Sequence, residues 1–202
     1  MNYINLGKQK HYLTDEQAGE IKKILTQNKI ELSKIPVSDT FYIGDIEFVV
    51  LEQSGDTTAV ITKELIKNGV KFAGDSNNYK NSIVANECDK FGEQIASIIG
   101  EENLVEHIVD LTSDDGLKDY SSVKKRMSLL TCNLYRRYVE ILDKYSVGKW
   151  WWLATAYSTL KHDSDKWVKC VSPSGIINCF NYDCSSGVRP FCILKSNIFV
   201  SK

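Results

Sequence analysis

The amino-acid sequence predicts a single α+β domain, because amphipathic helical patterns alternate with short β-branched and aromatic runs. A β-hairpin is expected between 41 and 62, and strand patterns dominate the chain from 150 onward. The sequence contains no internal repeat and no low-complexity linker. The helical patterns lie at 12–27, 82–99 and 132–145.

Length and composition fit one large globular domain. The 202 residues are 43% apolar, which suffices for a buried core, and we expect a helical appendage at 1–39 before a main domain at 40–202. The 25 Lys and Arg residues balance 26 Asp and Glu residues without forming a basic run, so nucleic-acid binding is not expected. No apolar stretch approaches the roughly 18 to 20 residues that cross a bilayer, which predicts no membrane insertion.

The first helix is predicted from its N-terminal signals. Thr14 is the expected N-cap of a helix at 12–27, and Gln17 completes a capping box. The apolar residues that follow at helical spacing are Ala18, Ile21, Ile24 and Leu25. A connector is expected from 29 to 39, where Pro36 interrupts any regular pattern.

The middle of the chain predicts a hairpin followed by a helix. Strands are expected at 41–52 and 57–62, joined by a Ser-Gly-Asp turn at 54–56. The helix at 82–99 has one apolar face, and Gly100 occupies the position where a C-cap is expected.

A polar loop and a capped helix come next. The loop at 112–122 carries three aspartates but lacks the spacing and closing Glu of an EF-hand, so a solvated loop is favoured over a calcium site. Thr131 is the expected N-cap of the helix at 132–145. The aspartates are Asp114, Asp115 and Asp119. The remaining strands are expected at 104–111, 127–130, 150–154, 167–171, 176–180, 187–194 and 198–200.

The cysteines favour reduced, packed thiols over a disulfide frame, because the N-terminus lacks a secretion signal and folding in a cytoplasm is expected. A zinc site would need close cysteine pairs, and the nearest spacing here is C-x4-C at 179–184. We therefore expect no metal and no cofactor. The cysteines are Cys88, Cys132, Cys170, Cys179, Cys184 and Cys192.

Two C-terminal segments carry a family resemblance. They read KWWWLATA at 149–156 and GVRPFCIL at 187–194, with a Pro-Ser-Gly turn at 173–175 between them. Together they resemble an uncharacterised domain family abundant in phages, prophages and gut Firmicutes, whose members end in a double-tryptophan strand, a hairpin and a closing GVRP strand. Segments at 42–48 and 59–62 look like the opening hairpin of that family, and segments at 110–116 and 128–131 look like its central section.

The resemblance covers roughly residues 40 to 200 and implies a fold. Family members look related to C-type lectins and formylglycine-generating enzymes, which implies a C-type-lectin-like fold with antiparallel β-hairpins, two or three helices and an N-terminal helix. The same fold hosts the variable receptor-binding proteins of diversity-generating retroelements. This chain departs from the family at 154–156, where members commonly have Arg-Ser-Pro, and at Tyr79, where they often have Trp.

The motif residues themselves favour a structural role. Trp150, Trp151 and Trp152 alternate in a predicted strand, so one or two of them must bury a large area in the core. Arg189 lies in an otherwise apolar strand, where a buried guanidinium needs partners. A structural ion pair that fixes the final strand is favoured for Arg189 over a ligand contact.

The loops at 157–166 and 180–186 are the predicted ligand-binding surface, because binding residues concentrate on loops held by a rigid scaffold. Their Tyr, Ser, Asn and Asp residues resemble paratope chemistry, although turns favour the same polar residues. The mixture at 178–185 also suits adenine-targeted codon diversification, which predicts a neighbouring template repeat and reverse transcriptase. The candidate ligand-binding residues are Tyr157, Thr159, His162, Asp163, Trp167, Asn178, Asn181, Tyr182 and Asp183.

The favoured function is a non-enzymatic, phage-type binding protein whose partner is a host protein or a surface glycan. We expect it in the host cytoplasm, with association with a phage particle left open. The first alternative is an intracellular inhibitor of a host defence complex that docks through the helix at 12–27. The second is a copper or thiol enzyme related to formylglycine-generating enzymes, using Cys179, Cys184 and Cys192, although the sequence has no common catalytic motif.

Overall fold

The computed structural model describes residues 2–6, 9–19 and 29–202, and it has an α+β fold, as predicted. The helices are α1, described at 15–19, α2 (Ile83–Ile99) and α3 (Cys132–Lys144). The strands are β1 (Asn2–Leu6), β2 (Gln9–Leu13), β3 (Lys29–Glu31), β4 (Thr40–Ile43), β5 (Ile46–Ser54), β6 (Thr57–Thr62), β7 (Lys67–Lys71), β8 (Leu104–Val105), β9 (His107–Asp110), β10 (Ser122–Lys125), β11 (Met127–Ser128), β12 (Trp151–Ala156), β13 (Trp167–Val171), β14 (Ile177–Asn181), β15 (Ser185–Val188), β16 (Phe191–Lys195) and β17 (Phe199–Ser201).

The N-terminal segment is a hairpin followed by the start of a helix. The predicted capping box is confirmed, because the Thr14 N–H donates to Gln17 Oε1 at 3.0 Å and the Gln17 N–H donates to Thr14 Oγ1 at 3.1 Å. The predicted helix start at 12 is wrong, since residues 12 and 13 belong to β2, which pairs with β1. The rest of that predicted helix, at 20–27, lies outside the described residues.

Two larger sheets organise the remaining chain. The first has the strand order β11-β16-β6-β5-β4-β17-β3, with β8 also pairing with β16, and all its pairings are antiparallel. The second has the order β14-β13-β12-β15-β7, in which β12 and β15 run parallel. The predicted strand at 41–52 is two strands, because Gly44, at φ 58°, makes the β4–β5 turn.

The two longer helices each cover a separate part of the core. α2 begins after Ser82, whose hydroxyl accepts the Ala85 N–H at 3.1 Å, and it buries Cys88, Phe91 and Ile95 in the larger hydrophobic cluster. α3 begins after the predicted cap Thr131. It buries a second cluster through Tyr135, Tyr138 and Leu142. Among the described residues, no helix is both long and apolar enough to span a membrane.

The tryptophan strand β12 links these two clusters. Trp151 packs with the cluster under α3 and Trp152 with the cluster under α2, because neighbouring side chains of a strand point to opposite faces. The Trp152 indole N–H donates to the Val70 carbonyl at 2.9 Å, which satisfies a buried donor. Trp150 precedes the strand and is only half-buried, with its ring 4.6 Å from that of Phe180.

Arg189 is buried with 1% of its surface exposed, and its partners are main-chain carbonyls. Its guanidinium donates to Thr62 O and Lys63 O at 2.9 Å and to Tyr145 O at 3.1 Å, and it lies 5.4 Å from the Trp151 ring. The predicted ion pair is wrong, since no described carboxylate lies within ion-pair distance of the guanidinium. Burial lowers the pKa of Arg189 to about 10, so the charged form persists at neutral pH.

The six cysteines are free thiols in this structure. Cys88, Cys132, Cys170 and Cys192 are buried, Cys179 is half-buried and Cys184 is exposed. Burial raises the pKa of the Cys132 thiol to about 11 and that of Cys170 to about 12. The buried thiols therefore stay protonated and unreactive near neutral pH.

Gly187 of the GVRP motif provides the first test of this packing. A Cβ atom at that position would lie 2.4 Å from Leu65 Cδ1 and 2.9 Å from the carbonyl oxygen of Trp150, which belongs to the backbone. We expect Gly187→Ala to lower the free energy of unfolding by about 2 to 3 kcal/mol, because the two sheet segments must separate. Urea denaturation measures the change.

The matched control for that experiment is Gly74→Ala, since nothing lies within 4 Å of a Cβ atom there. We expect it to change stability by less than about 1 kcal/mol. Equal effects of the two substitutions would contradict the close contact between β15 and the chain at Trp150.

Candidate functional site

The candidate site lies at the end of the five-stranded sheet where β13 begins and β14 ends. Trp167 pairs with Asn181 across these strands, and the Tyr157 N–H donates to the Trp167 carbonyl at 2.9 Å. Directly opposed residues of neighbouring strands project from the same face, so Tyr157, Trp167 and Asn181 form one row, here called the exposed row. The Tyr157 and Trp167 side chains are 46% and 44% exposed.

A group of charged residues flanks the exposed row. Lys169 lies two residues beyond Trp167 on the same face, and its ammonium is 5.6 Å from the centre of the Tyr157 ring. The same ammonium contacts Asp114 at 3.1 Å, and Arg136 of α3 contacts the other oxygen of Asp114 at 3.1 Å. Burial opposes ionisation of Asp114, but the two cations lower the pKa of that carboxyl below its ordinary value. The charges next to the aromatic rings are therefore already paired.

A buried amide holds the loop at 157–166 in place. Asn77 has no exposed surface, and its Nδ2 donates to the carbonyls of Ser158 and Trp167 at 2.9 Å. Its Oδ1 accepts a hydrogen bond from the Tyr120 hydroxyl at 2.7 Å. The main-chain N–H of Asn77 donates to the Asp165 carbonyl at 2.8 Å. One side chain thereby fixes both ends of the loop.

The acidic loop at 112–122 anchors the same segment from its other side. Asp115 accepts hydrogen bonds from the Ser158 hydroxyl at 2.6 Å and from Nδ1 of His162 at 3.0 Å. Asp119 accepts a hydrogen bond from the Thr159 hydroxyl at 2.5 Å. This loop was predicted to be solvated, but its carboxylates serve as acceptors for the neighbouring loop. No group of three potential metal ligands occurs among the described residues.

The candidate residues fall into separate places. Tyr157, Trp167 and Asn181 form the exposed row, while His162 and Asp163 lie exposed at the tip of the loop, with Asp163 in a left-handed conformation at φ 52°. The other four candidates either lie away from the exposed row or are next to it without belonging to it. These four are Thr159, Asn178, Tyr182 and Asp183.

The β13–β14 register separates two of these residues from the site. Asn178 pairs with Cys170, whose side chain is buried in the larger hydrophobic cluster under α2. Asn178 therefore projects from the face of the sheet opposite to Trp167. Tyr182 packs partly buried against that cluster, and its carbonyl accepts the Phe72 N–H at 2.9 Å. The prediction that Asn178 shares a surface with Trp167 is therefore wrong, and Tyr182 supports the fold.

Thr159 and Asp183 complete the set. Thr159 is only 1% exposed and uses its hydroxyl for Asp119, so it positions the loop. Asp183 is exposed in the turn after β14, where its N–H is 3.4 Å from Asn181 Oδ1. The sequence-based reasoning missed Asn77 and Lys169, because their partners lie in distant segments of the chain.

The three cysteines of the enzymatic alternative belong to different parts of the structure. Cys192 lies in β16 of the eight-stranded sheet, where burial raises its pKa. Cys179 lies in β14 of the other sheet, and Cys184 lies in the turn that follows. His107 is distant from these thiols in the sequence. It is partly buried, and burial lowers its pKa to about 4. This arrangement offers no support for a copper site built from the three cysteines.

Comparison with known proteins finds no matching family model, no matching curated protein and no matching solved structure. The resemblance to the phage and prophage family therefore depends on the sequence motifs alone.

The carboxylate of Asp115 gives a pH-dependent test of the loop anchor. Burial opposes its ionisation, but hydrogen bonds from Ser113, Ser158 and His162 lower its pKa below the ordinary value of 3.8. Its contribution to stability is therefore present above the unfolded pKa and is lost as the pH falls toward the folded pKa. We expect Asp115→Asn to cost about 1 kcal/mol at neutral pH, with the difference from wild type shrinking below about pH 4.

Chemical denaturation at a series of pH values measures this difference. Asp163→Asn is the matched control, because Asp163 is exposed and asparagine tolerates its left-handed backbone. A pH-independent difference between wild type and Asp115→Asn would contradict the role of the ionised carboxylate.

Proposed function

We propose that the protein is a non-enzymatic binding module of phage type, which presents the exposed row to a host protein or a surface glycan. The observation that carries this proposal is a pair of half-exposed aromatic residues, Tyr157 and Trp167, which are joined by a main-chain hydrogen bond at the end of a sheet. Aromatic side chains provide large contact areas at low conformational cost, and they dominate the energetics of many binding surfaces.

The anchored loops support the same proposal. Asn77, Asp115 and Asp119 bond to the loop at 157–166 from two sides. A surface that is fixed before binding loses less conformational entropy when its partner arrives. Asn181, the cross-strand partner of Trp167, and His162, exposed at the loop tip, supply polar groups on this part of the surface. Paratopes likewise combine rigid aromatic residues with adaptable polar contacts.

The family resemblance supplies the scaffold of this proposal. On the C-type-lectin-like scaffold that the resemblance implies, we expect ligand contacts on loops held by a rigid framework, and the exposed row lies where β13 begins and β14 ends. We propose that the protein is made in the host cytoplasm and acts there or as part of a phage particle.

A second candidate function, inhibition of a host defence complex, is favoured by the N-terminal hairpin. Tyr3 and Tyr12 are cross-strand partners that are 50% and 63% exposed, and the Lys10 ammonium lies 3.8 Å from the Tyr3 ring centre. β1 and β2 pair with no other described strand. An exposed aromatic hairpin of this kind would suit docking to a partner protein. Its two tyrosines are therefore substituted in a separate variant of the capture experiment below.

A capture experiment tests the main proposal. Tagged wild-type protein is incubated with host lysate, host envelope fractions and a glycan array, alongside the double variant Tyr157→Ala, Trp167→Ala. We expect the double variant to lose binding by about 30-fold or more, since two aromatic contacts of this size are worth about 2 kcal/mol or more together.

The matched control removes exposed apolar surface elsewhere, through Ile176→Ala and Phe199→Ala, which are 64% and 63% exposed in the wild type. This control should bind like wild type. If the Tyr157, Trp167 variant retains the partner while Tyr3→Ala, Tyr12→Ala loses it, the exposed row is not the binding surface and the second candidate replaces the first.

A further inference from the structure

A groove separate from the exposed row lies between the β4–β5 turn, the loop after β6 and one side of α2. Its volume is about 580 Å³, which is within the usual range of small-molecule sites. Ile46, Leu65, Ile66 and Phe91 supply its apolar lining. No residue of this groove belongs to the exposed row, so the inference drawn from it is independent of the proposed function.

Some of the charged residues around the groove form ion pairs and others do not. Glu87 contacts Lys67 at 2.9 Å and Lys90 at 3.8 Å, so both lysines that line the groove already have a partner. The lining residues Asp45 and Glu64, by contrast, form no ion pair with any described residue, although the charge of Glu64 also acts on the buried Arg189 guanidinium. Both side chains belong to exposed residues. The groove therefore offers carboxylates, and its cations are occupied.

A buried hydroxyl on the groove wall also lacks a partner. Thr62 is 1% exposed, and its Oγ1 atom has no hydrogen bond within the described structure. Thr62 pairs with Phe48, which lies in the same core cluster as Phe91 of α2, so its side chain points toward the layer between β6 and α2. Its main-chain groups are already used, by Pro190 and Arg189. Only the hydroxyl remains to accept or donate a hydrogen bond.

We propose that this groove binds a small organic cation, an ammonium or guanidinium group carried on an apolar body. The apolar body would contact Phe91 and its neighbours, and the charged N–H groups would pair with Asp45 and Glu64 and donate to Thr62 Oγ1. An anion would meet two carboxylates that have no ion-pair partner, and lysines that are already paired. A neutral apolar molecule would leave both the carboxylates and the Thr62 hydroxyl without partners.

An NMR titration with phenethylammonium chloride tests this proposal, and 2-phenylethanol serves as the neutral probe of similar shape. We expect the ammonium to shift backbone amide signals at 62–66 and 87–94, and the alcohol to shift them far less. The double variant Asp45→Asn, Glu64→Gln should bind the ammonium at least about threefold more weakly, because each exposed charge pair contributes modestly. Asp56→Asn, in the β5–β6 turn, is the matched control and should bind like wild type.

Thr62→Val provides a second variant that keeps the shape of the side chain and removes the hydroxyl. It should fold normally, since the lost hydroxyl has no partner in the unliganded protein, and it should weaken binding of the ammonium. Equal shifts with the alcohol and the ammonium would overturn the proposal. So would the absence of shifts at these amides, or unchanged affinity in both the carboxylate and the Thr62 variants.

Discussion

The candidate site depends on the side-chain amide of Asn77, which joins three segments that are far apart in the sequence. Its two Nδ2 hydrogens are used by the carbonyls of Ser158 and Trp167, and its oxygen is used by the Tyr120 hydroxyl. Buried polar groups are costly when unpaired, so this set of bonds favours a single arrangement of the loops. The hydrogen bonds to Asp115 and Asp119 then orient the loop tip on that fixed base. Without the amide, Tyr157 and Trp167 would still be exposed, but the conformation of the loop between them would no longer be fixed.

Buried and exposed residues follow one another closely along the same stretches of chain. β12 is buried on both faces, and Trp151 and Trp152 fill two different hydrophobic clusters. Arg189 lies between β15 and β16. Its guanidinium donates hydrogen bonds to carbonyl oxygens at the end of β6 and at the end of α3. The chain becomes exposed at Tyr157, immediately after β12 ends. A buried strand therefore leads directly to an exposed aromatic residue, and this arrangement is the one that the proposed binding function uses.

Local features of this structure could be predicted from the sequence, and long-range partners could not. The caps at Thr14 and Thr131 and the helices α2 and α3 are encoded by nearby residues, so their patterns are readable along the chain. Asn77 contacts residues 81 and 90 positions away, and nothing near it in the sequence indicates those contacts. The face on which Asn178 lies depends on the strand register, where a shift of one residue reverses every side chain. Arg189 was expected to pair with a carboxylate, but main-chain carbonyls left free at strand and helix ends carry no sequence signature.

Hydrogen–deuterium exchange of Asn77→Ala, compared with wild type, tests most directly whether the amide fixes the site. The exposed Asn197→Ala is the control, because it removes an asparagine side chain at the surface. We predict faster exchange at 158–166 in Asn77→Ala, with β12 and β13 still protected, since the lost bonds anchor the loop and not the strands. Unchanged exchange at 158–166 would contradict the account, and equally fast exchange throughout the five-stranded sheet would show that Asn77 supports the whole fold and not the site.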